Sequence, residues 1–447
     1  MKLTFYSGIK EVTGANYLLE SGDTKILIDC GLHQGGSFCE KHNWEPFPYN
    51  AGEINAVFPT HAHIDHTGRL PKLIREGFKG RVYSTPPTRD FANLLLLDSE
   101  HVIAEEAERF KKPVLYNVRD IEELMAHWEG VPYYQEIKVG SMKVTLYSAG
   151  HILGSCIVVV EAEGKKIAFS GDLGNSPAPI IGPYDILEDD IDYCVIESTY
   201  GDRLHQKAPE GIIEDVIEDA VRAGGVLMIP AFAMERTQKL LFEINELIEN
   251  GRVPSVPVFL DSPLAIKVTD IYKKYKDYFD KKTMNLLKGD NLLFDFPGLK
   301  KTLTIDESKS INEARSPKVI IAGSGMSQGG RILHHEKRYL RDPNSTILFI
   351  GYQSKGSLGR KIQEGEKLVR IHGEEVPVRC RSVSIGGYSA HADQGQLLDW
   401  LYPMRLSLEK VFVVQGEEDA STIFAQKVIN DLAVHAEIPE ERKSYEL

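Results

Sequence analysis

Six consecutive residues, His61-Ala62-His63-Ile64-Asp65-His66, place three imidazoles and a carboxylate side by side, directly after the apolar run Ile54-Asn55-Ala56-Val57-Phe58. In an extended backbone alternate side chains share a face, so His61 and His63 are expected to point at one ion. Asp65 and His66 fall where the chain has to turn and can reach a second ion close by. Neutral imidazole with carboxylate is a donor mix that suits zinc and related borderline metals. A lone His-x-His arises easily by accident, whereas the full His-x-His-x-Asp-His after an apolar strand is a specific signal.

A metal cluster of this kind needs further donors at the ends of other apolar strands, and the chain supplies them. Asp29 closes Lys25-Ile26-Leu27-Ile28, His151 follows Val144-Thr145-Leu146-Tyr147-Ser148-Ala149-Gly150, and Asp172 follows Lys166-Ile167-Ala168-Phe169-Ser170-Gly171. Taken singly, each is a polar residue where a loop would put one anyway. As a set at equivalent strand ends they indicate a centre for two metals.

These residues, in this order, match the first four motifs of the metallo-β-lactamase superfamily. Glu197-Ser198-Thr199-Tyr200-Gly201 resembles motif A of the β-CASP nucleases, and Ser389-Ala390-His391-Ala392-Asp393 resembles their motif B. Gly323-Ser324-Gly325-Met326 with Gly329-Gly330 is similar to that family as well. The resemblance spans nearly the whole chain and is to the bacterial and archaeal RNA-processing members, related to the endonuclease subunit of the cleavage and polyadenylation specificity factor. It implies an α/β fold: an αββα metallo-β-lactamase sandwich carrying an inserted β-CASP domain, a parallel sheet flanked by helices.

The resemblance also implies roles. His61, His63 and His151 would hold the first metal, Asp65 and His66 the second, and Asp172 would bridge them, while Asp29 orients the ligand histidines. Two divalent metals, zinc foremost, would generate hydroxide as the nucleophile at a phosphodiester. His391 would be the general acid, and Glu197 would keep its imidazole protonated and aligned. One position departs from the pattern. The RNA-processing members carry a motif C histidine after the last strand, where this chain reads Val413-Val414-Gln415-Gly416-Glu417. An amide oxygen is a weak zinc ligand, so the expectation is a second metal held more loosely than the first, or absent without substrate. DNA nucleases of the family carry an apolar residue there, so Gln415 matches neither group.

The family's substrate cleft lies between the two domains. Gly323, Ser324 and Gly325 follow a strand, and their backbone amides could cradle a phosphate; a plain strand-to-helix connection would look the same. Arg236, Lys355, Arg360 and Ser389 are candidate phosphate or backbone contacts. His33 and His42 lie in the loop after Asp29, and His334-His335 reads as part of a helix with a structural role. Phosphate and stacking contacts suffice for single-stranded RNA.

The elements that position these groups alternate in two styles. Up to about Tyr200, short β-branched runs with hairpin signals, such as Val158-Val159-Val160-Glu161-Ala162-Glu163-Gly164-Lys165, are interrupted by helices near Phe91 to Phe110 and Ile121 to Trp128. From about Pro209 the pattern becomes strictly alternating: helix Ile212 to Arg222, strand Val226 to Ile229, helix Thr237 to Glu249, strand Val256 to Leu260, then strands Val319 to Ala322 and Thr346 to Ile350. Such a rhythm predicts a parallel sheet covered on both faces. The chain closes in the first style, with strand Lys410 to Val414 and a final helix. The expected division is residues 1–205 and 384–447 for the metallo-β-lactamase domain and 206–383 for the insertion.

Length and composition agree: 447 residues exceed one ordinary core, and 42% hydrophobic with 26% charged residues is the balance of a soluble globular protein. The longest aliphatic run, Leu94-Leu95-Leu96-Leu97, is far too short to span a bilayer. Met1-Lys2-Leu3-Thr4-Phe5-Tyr6 reads as a first strand and not a leader, so a cytoplasmic location and a minimal catalytic core are expected. Cys30, Cys39, Cys156, Cys194 and Cys380 are odd in number and scattered, which reads as reduced thiols. A net charge of −13 excludes bulk attraction to nucleic acid, though not a local field from bound metals. The functions consistent with all this are a metal-dependent ribonuclease on single-stranded RNA, endonuclease or 5′-exonuclease; a DNA nuclease or small-molecule hydrolase on the same scaffold; and a weakened, non-catalytic scaffold on account of Gln415. A homodimer follows from the resemblance alone.

Overall fold

Successive residues of a strand face opposite ways, and here both faces find partners. Ile167 and Phe169 turn into one apolar core and Ala168 into another; Phe412 and Val414 share the first core, Val411 and Val413 the second. This is why the runs read as continuously apolar instead of alternating. The structure is a computed structural model that describes residues 1–35, 41–188, 190–205, 211–287, 293–386 and 389–447. Cys39 and Pro209 lie outside the described residues. Two compact units separate, one formed by Met1–Leu204, Tyr278–Asp280 and Ala390–Leu447, the other by His205–Asp277 and Lys281–Ser389.

The first unit holds two seven-stranded sheets. One runs, in spatial order, Ser444–Glu446, Lys2–Ser7, Asn16–Ser21, Thr24–Ile28, Ala56–Phe58, Arg81–Ser84 and Trp128–Gly130. The other runs Ala436–Glu437, Lys410–Val414, Tyr193–Glu197, Lys165–Phe169, Cys156–Ala162, Met142–Ser148 and Ile137–Val139. Phe5, Tyr17, Ile28 and Phe58 from the first sheet meet Leu146, Val158, Phe169 and Phe412 from the second. Helices Pro86–Phe110 and Val118–His127 pack on the first sheet, and Gln394–Leu401 and Glu418–Leu432 supply Leu397, Trp400, Phe424 and Val428 to the outer face of the second. The layers are helix, sheet, sheet, helix.

Strand direction decides where the chemistry sits. Tyr193–Glu197 lies parallel to both Lys165–Phe169 and Lys410–Val414. Asp172, Glu197 and Gln415 therefore emerge at the same edge. Thr24–Ile28 is likewise parallel to Ala56–Phe58, which brings Asp29 and His61 out together.

The second unit is a six-stranded sheet in the order Leu299–Lys301, Val258–Asp261, Lys318–Ala322, Val226–Pro230, Thr346–Phe349, Arg381–Ser384. Every pair in it is parallel. Met228, Phe259, Ile320 and Phe349 fill one core with Ile332, Leu340 and Ile362 from the helices Ile332–Tyr339 and Leu358–Gln363 and the residue after the first of them, and the alternate residues Leu227, Ile229, Leu260, Ile321 and Leu348 are buried as well. Pairing of Arg381–Ser384 with Thr346–Phe349 keeps the chain in this unit as far as Ser389.

Elements beyond the pattern reading include the helix Pro263–Lys274, the hairpin Leu368–Ile371 with Glu374–Pro377, and the strands Ala436–Glu437 and Ser444–Glu446 after the helix expected to close the chain. Each of these strands is only two to four residues long, too short for either periodicity to announce it. Cys30, Cys156, Cys194 and Cys380 are free, buried thiols, and burial pushes Cys30 up to about 11. Among the described residues no helix is long and apolar enough to cross a membrane.

Candidate metal centre

His61 and His63 converge, but not on an extended strand. The strand stops at Phe58, residues 60–62 bend, and Ile64–Thr67 forms one helical turn. The bend leaves His61 Nε2 3.0 Å from His63 Nδ1, and His63 Nδ1 3.3 Å from His151 Nε2. One donor atom from each of His61, His63, His151 and Asp172 falls within 4.8 Å of all the others. The helical turn carries Asp65 and His66 to the far side of Asp172.

The Asp172 carboxylate is divided between two groups of ligands. Its Oδ2 lies 3.4 Å from His61 Nε2 and 3.6 Å from His151 Nε2, whereas its Oδ1 lies 3.3 Å from His66 Nε2. Asp65 Oδ2 is 3.7 Å from the same His66 nitrogen. Asp172 Oδ1 is fully buried and has no hydrogen-bond donor. Burial, reinforced by the neighbouring imidazoles, pulls His61 and His151 well below the ordinary histidine range, so both present lone pairs. Converging neutral imidazoles beside an acceptor without a donor fit a divalent cation, which would otherwise leave these groups uncompensated.

The nitrogens turned away from the centre are held as ligand histidines require. His151 Nδ1 donates to the Ala390 carbonyl at 3.2 Å, and His66 Nδ1 donates to Asp29 Oδ2 at 2.8 Å. Asp29, itself left-handed at φ 61°, also receives the Thr60 amide at 2.7 Å and the Thr60 hydroxyl at 3.0 Å. Thr60 Oγ1 in turn accepts from His61 Nδ1 at 3.1 Å. One carboxylate thus aligns His66 directly and His61 through a hydroxyl. Thr60 went unread in the sequence, where the only signal is its place just before the histidine cluster. Thr60→Val is expected to weaken metal affinity about 10- to 100-fold, measured by competition with a chromogenic chelator.

His391 reaches the centre from the other end of the chain. Residues 390–392 pair with 173–175: Ala392 N donates to Leu173 O at 2.7 Å and Asn175 N to Ala390 O at 2.9 Å. The approach of the neighbouring loop is so close that a Cβ on Gly174 would lie 1.8 Å from the Gly150 carbonyl oxygen. His391 Nδ1 sits 3.2 Å from Glu197 Oε2 and 3.8 Å from Asp172 Oδ2. Glu197 is fully buried and its other oxygen accepts the Leu173 amide at 2.6 Å. Burial alone would lower His391, but Glu197 and Asp172 outweigh it and hold the imidazole up to about 9.

Gln415 occupies the edge next to His66. Its backbone is left-handed at φ 50°, its amide donates to Gly8 O at 2.9 Å, and its Nε2 lies 3.1 Å from His66 Nε2. Its Oε1 is buried without a partner, as is the Tyr17 hydroxyl; a Cβ on Gly8 would lie 2.6 Å from the one and 2.9 Å from the other.

Comparison with known proteins agrees with this geometry. The profile of the metallo-beta-lactamase superfamily matches residues 10–219, the Beta-Casp domain residues 237–362, and the Zn-dependent metallo-hydrolase RNA specificity domain residues 375–439. Ribonuclease TTHA0252 of Thermus thermophilus is 38% identical over 94% of this chain and 94% of its own length. The chain belongs to the β-CASP family of the metallo-β-lactamase superfamily. An RNase J-like protein of Methanocaldococcus jannaschii is 31% identical over 98% of this chain and 97% of its own. Transcription termination factor FttA of Methanosarcina mazei is 31% identical, over 97% of this chain and 70% of the relative. A solved structure from Enterococcus faecalis V583, described as of unknown function, shares the fold at TM-score 0.58 and 13% identity over 99% of both chains.

The substrate-contact candidates of this β-CASP protein lie in the second unit. Ser389 is its last residue. Arg236 donates to Glu235 at 3.0 Å and to Ile350 O at 3.1 Å, and Arg360 pairs with Glu364 at 2.6 Å. In the glycine-rich loop, Ser324 N donates to Gly329 O, and Ser324 Oγ accepts from the amides of Gln328 and Gly329. Those amides, with that of Ser327, close the loop on itself instead of facing a phosphate. Gly323 O accepts the amide of Ile332. His335 is structural, its Nε2 bonded to Asp261 at 2.7 Å. In the first unit, buried His33 pairs with Glu11 at 3.2 Å and stands edge-on to His42.

Ser327 donates its hydroxyl to Glu336, whose other oxygen has no partner. Burial pushes Glu336 from its ordinary 4.5 up to about 8, against the Ser327 hydrogen bond. The native state therefore holds a proton that the unfolded chain releases, so stability drains away as pH rises from 4.5 to about 8. Glu336→Gln is expected to melt several degrees higher than the parent at pH 8 and to converge with it near pH 4.5, read by thermal denaturation.

Proposed function

We infer that this chain is a metal-dependent ribonuclease that hydrolyses phosphodiester bonds of single-stranded RNA. The observation that carries the reading is the Asp172 carboxylate, split between His61/His151 and His66, with the His391–Glu197 pair beside it. His61, His63, His151 and Asp172 would hold one ion, and Asp65, His66, Asp172 and Gln415 a second. When bound, the ions supply positive charge at phosphate oxygens and make water acidic enough to act at neutral pH. Three imidazoles and a carboxylate favour zinc in the first position.

The chain's own residues complete the reaction. Glu197 engages His391 Nδ1 and favours the imidazolium, which leaves the proton on Nε2 for the departing oxygen. Asp29 and Thr60 keep the ligand nitrogens aimed. The names of the relatives support RNA as the substrate over DNA or a small ester.

Labelled single-stranded RNA and DNA, each with and without chelator, test the assignment. RNA cleavage abolished by chelator and restored by zinc or manganese is expected; cleavage indifferent to chelator, or absent with metal, overturns it. Circular RNA, which has no ends, separates internal cutting from 5′ trimming.

Beside Asp65, His66 and Asp172 the second ion would find a neutral amide, its Nε2 and not its Oε1 turned toward His66, where an imidazole would otherwise serve, so it is the looser of the two. Gln415→His is expected to raise bound zinc toward two per chain and to tighten the second ion about 10-fold or more, read by elemental analysis after dialysis. Two equally tight zinc ions in the parent chain would sink this.

A further inference from the structure

In the parallel sheet of the second unit the connections diverge at one place. The chain leaving Val226–Pro230 crosses to Val258–Asp261, while the chain leaving its neighbour Lys318–Ala322 crosses in the opposite direction to Thr346–Phe349. Outside the carboxyl ends of strands, at such a reversal, open α/β sheets form their ligand crevice.

The three loops at this edge are tied together. Gln353 Nε2 donates to Gly325 O at 2.9 Å, Arg236 to Ile350 O at 3.1 Å, and the Gly359 amide to Met326 O at 3.2 Å. On this fixed frame stand two aromatic rings that the core does not absorb: Phe232 is 40% exposed and Tyr352 61%. Each follows a strand by two or three residues, and the two strands are neighbours, about 4.8 Å apart. Phe232 rests against Gly325, where a Cβ would come within 2.6 Å of the ring. Gly329 and Gly356 face open space, and Lys355 is exposed in the same loop as Tyr352.

We propose that Phe232 and Tyr352 form a stacking platform for nucleobases of the single-stranded RNA substrate. The proposal rests on the ribonuclease reading above. Two separate rings set among glycines and a lysine do not make the continuous apolar patch a protein partner needs. They do match a strand of flat bases joined by phosphates, since every base has a π-face and stacking tolerates any sequence. Paired RNA hides those faces, so the platform selects single strands.

The test compares Phe232→Ala, Tyr352→Ala and the double variant with the parent. Fluorescence anisotropy in chelator gives Kd for a short labelled RNA, and kinetics with metal give kcat and KM. Each substitution is expected to weaken Kd about 10-fold and to raise KM with kcat nearly unchanged. An oligomer with abasic sites should bind the parent weakly and be insensitive to the substitutions. Phe232→Leu and Tyr352→Leu, which keep apolar volume without a π-face, replace any alanine variant that melts early and should show the same loss; Tyr352→Phe should show none. A parent that binds and cleaves RNA, with a double variant equal to it, overturns the platform. A parent that neither binds nor cleaves RNA overturns the ribonuclease reading instead.

Discussion

Replacing His391 with asparagine is expected to lower kcat on single-stranded RNA by about 100- to 10,000-fold without reducing the metal bound per chain. The second condition matters because Asp172, Glu197 and His391 also converge closely enough to be mistaken for ligands of a common ion. If His391 held metal, elemental analysis of the variant would show a loss; as a proton donor it should show none. The pH profile carries the sign. Burial lowers His391, Glu197 and Asp172 more than restore it, and the imidazole is held up to about 9. In the proposed role the protonated form is the active one, so the rate is expected to fall as pH rises through the imidazole's own titration. Cations bound nearby repel the imidazolium, which sets the alkaline limb of the parent enzyme below about 9. Glu197→Gln removes the leading raising influence and should move the limb to still lower pH. A limb that stays put would leave Glu197 a purely structural acid.

Asp172→Ala is the second large expected effect, because in the proposed centre one carboxylate faces both groups of ligands. Its Oδ2 faces His61 and His151 and its Oδ1 faces His66. Losing several kcal/mol of metal-derived stabilisation corresponds to a rate loss of about 1,000-fold or more. Elemental analysis should find both ions depleted, whereas His63→Ala should deplete the first selectively. The metal-free protein should suffer too. Although burial opposes its charge, His66 is held well above the ordinary histidine range by Asp172, then Asp29 and Asp65. Breaking a buried pair of this kind costs about 3–5 kcal/mol, visible as a lower melting temperature in chelator. Asp172→Ala with undiminished metal content would disprove the bridging role.

The sequence made the centre legible where donors adjoin and dark where only folding unites them. His61 to His66 announce themselves because four donors fall within six residues. Their geometry was less transparent: a bend, and not a strand, makes His61 and His63 converge. His391 and Glu197 are 194 positions apart, and only likeness to a family joins them. Thr60 is an ordinary residue until Asp29, 31 positions earlier, closes on it. Apolar runs such as Val411 to Val414 betrayed the buried strands, because both of their faces are covered. Ser444–Glu446 is too short and polar to do so; it is a strand only because Lys2–Ser7 is there to pair with it. The glycine-rich loop shows the opposite limit. Its composition suggests open amides, yet those of Ser324, Ser327, Gln328 and Gly329 bond within the loop.

Pairing of Ser444–Glu446 with Lys2–Ser7 joins the two ends of the chain in one sheet, and the residues around Asp172 come from positions as distant as Asp29 and Gln415. A ribosome delivers these pieces in order, so a nascent chain carries the ligand histidines long before His391 and Gln415 have emerged. For an enzyme that cuts single-stranded RNA, this delay has a use. The nearest such strand during synthesis is the message being read, and the candidate cutting edge stays incomplete until residues as late as Gln415 have been made.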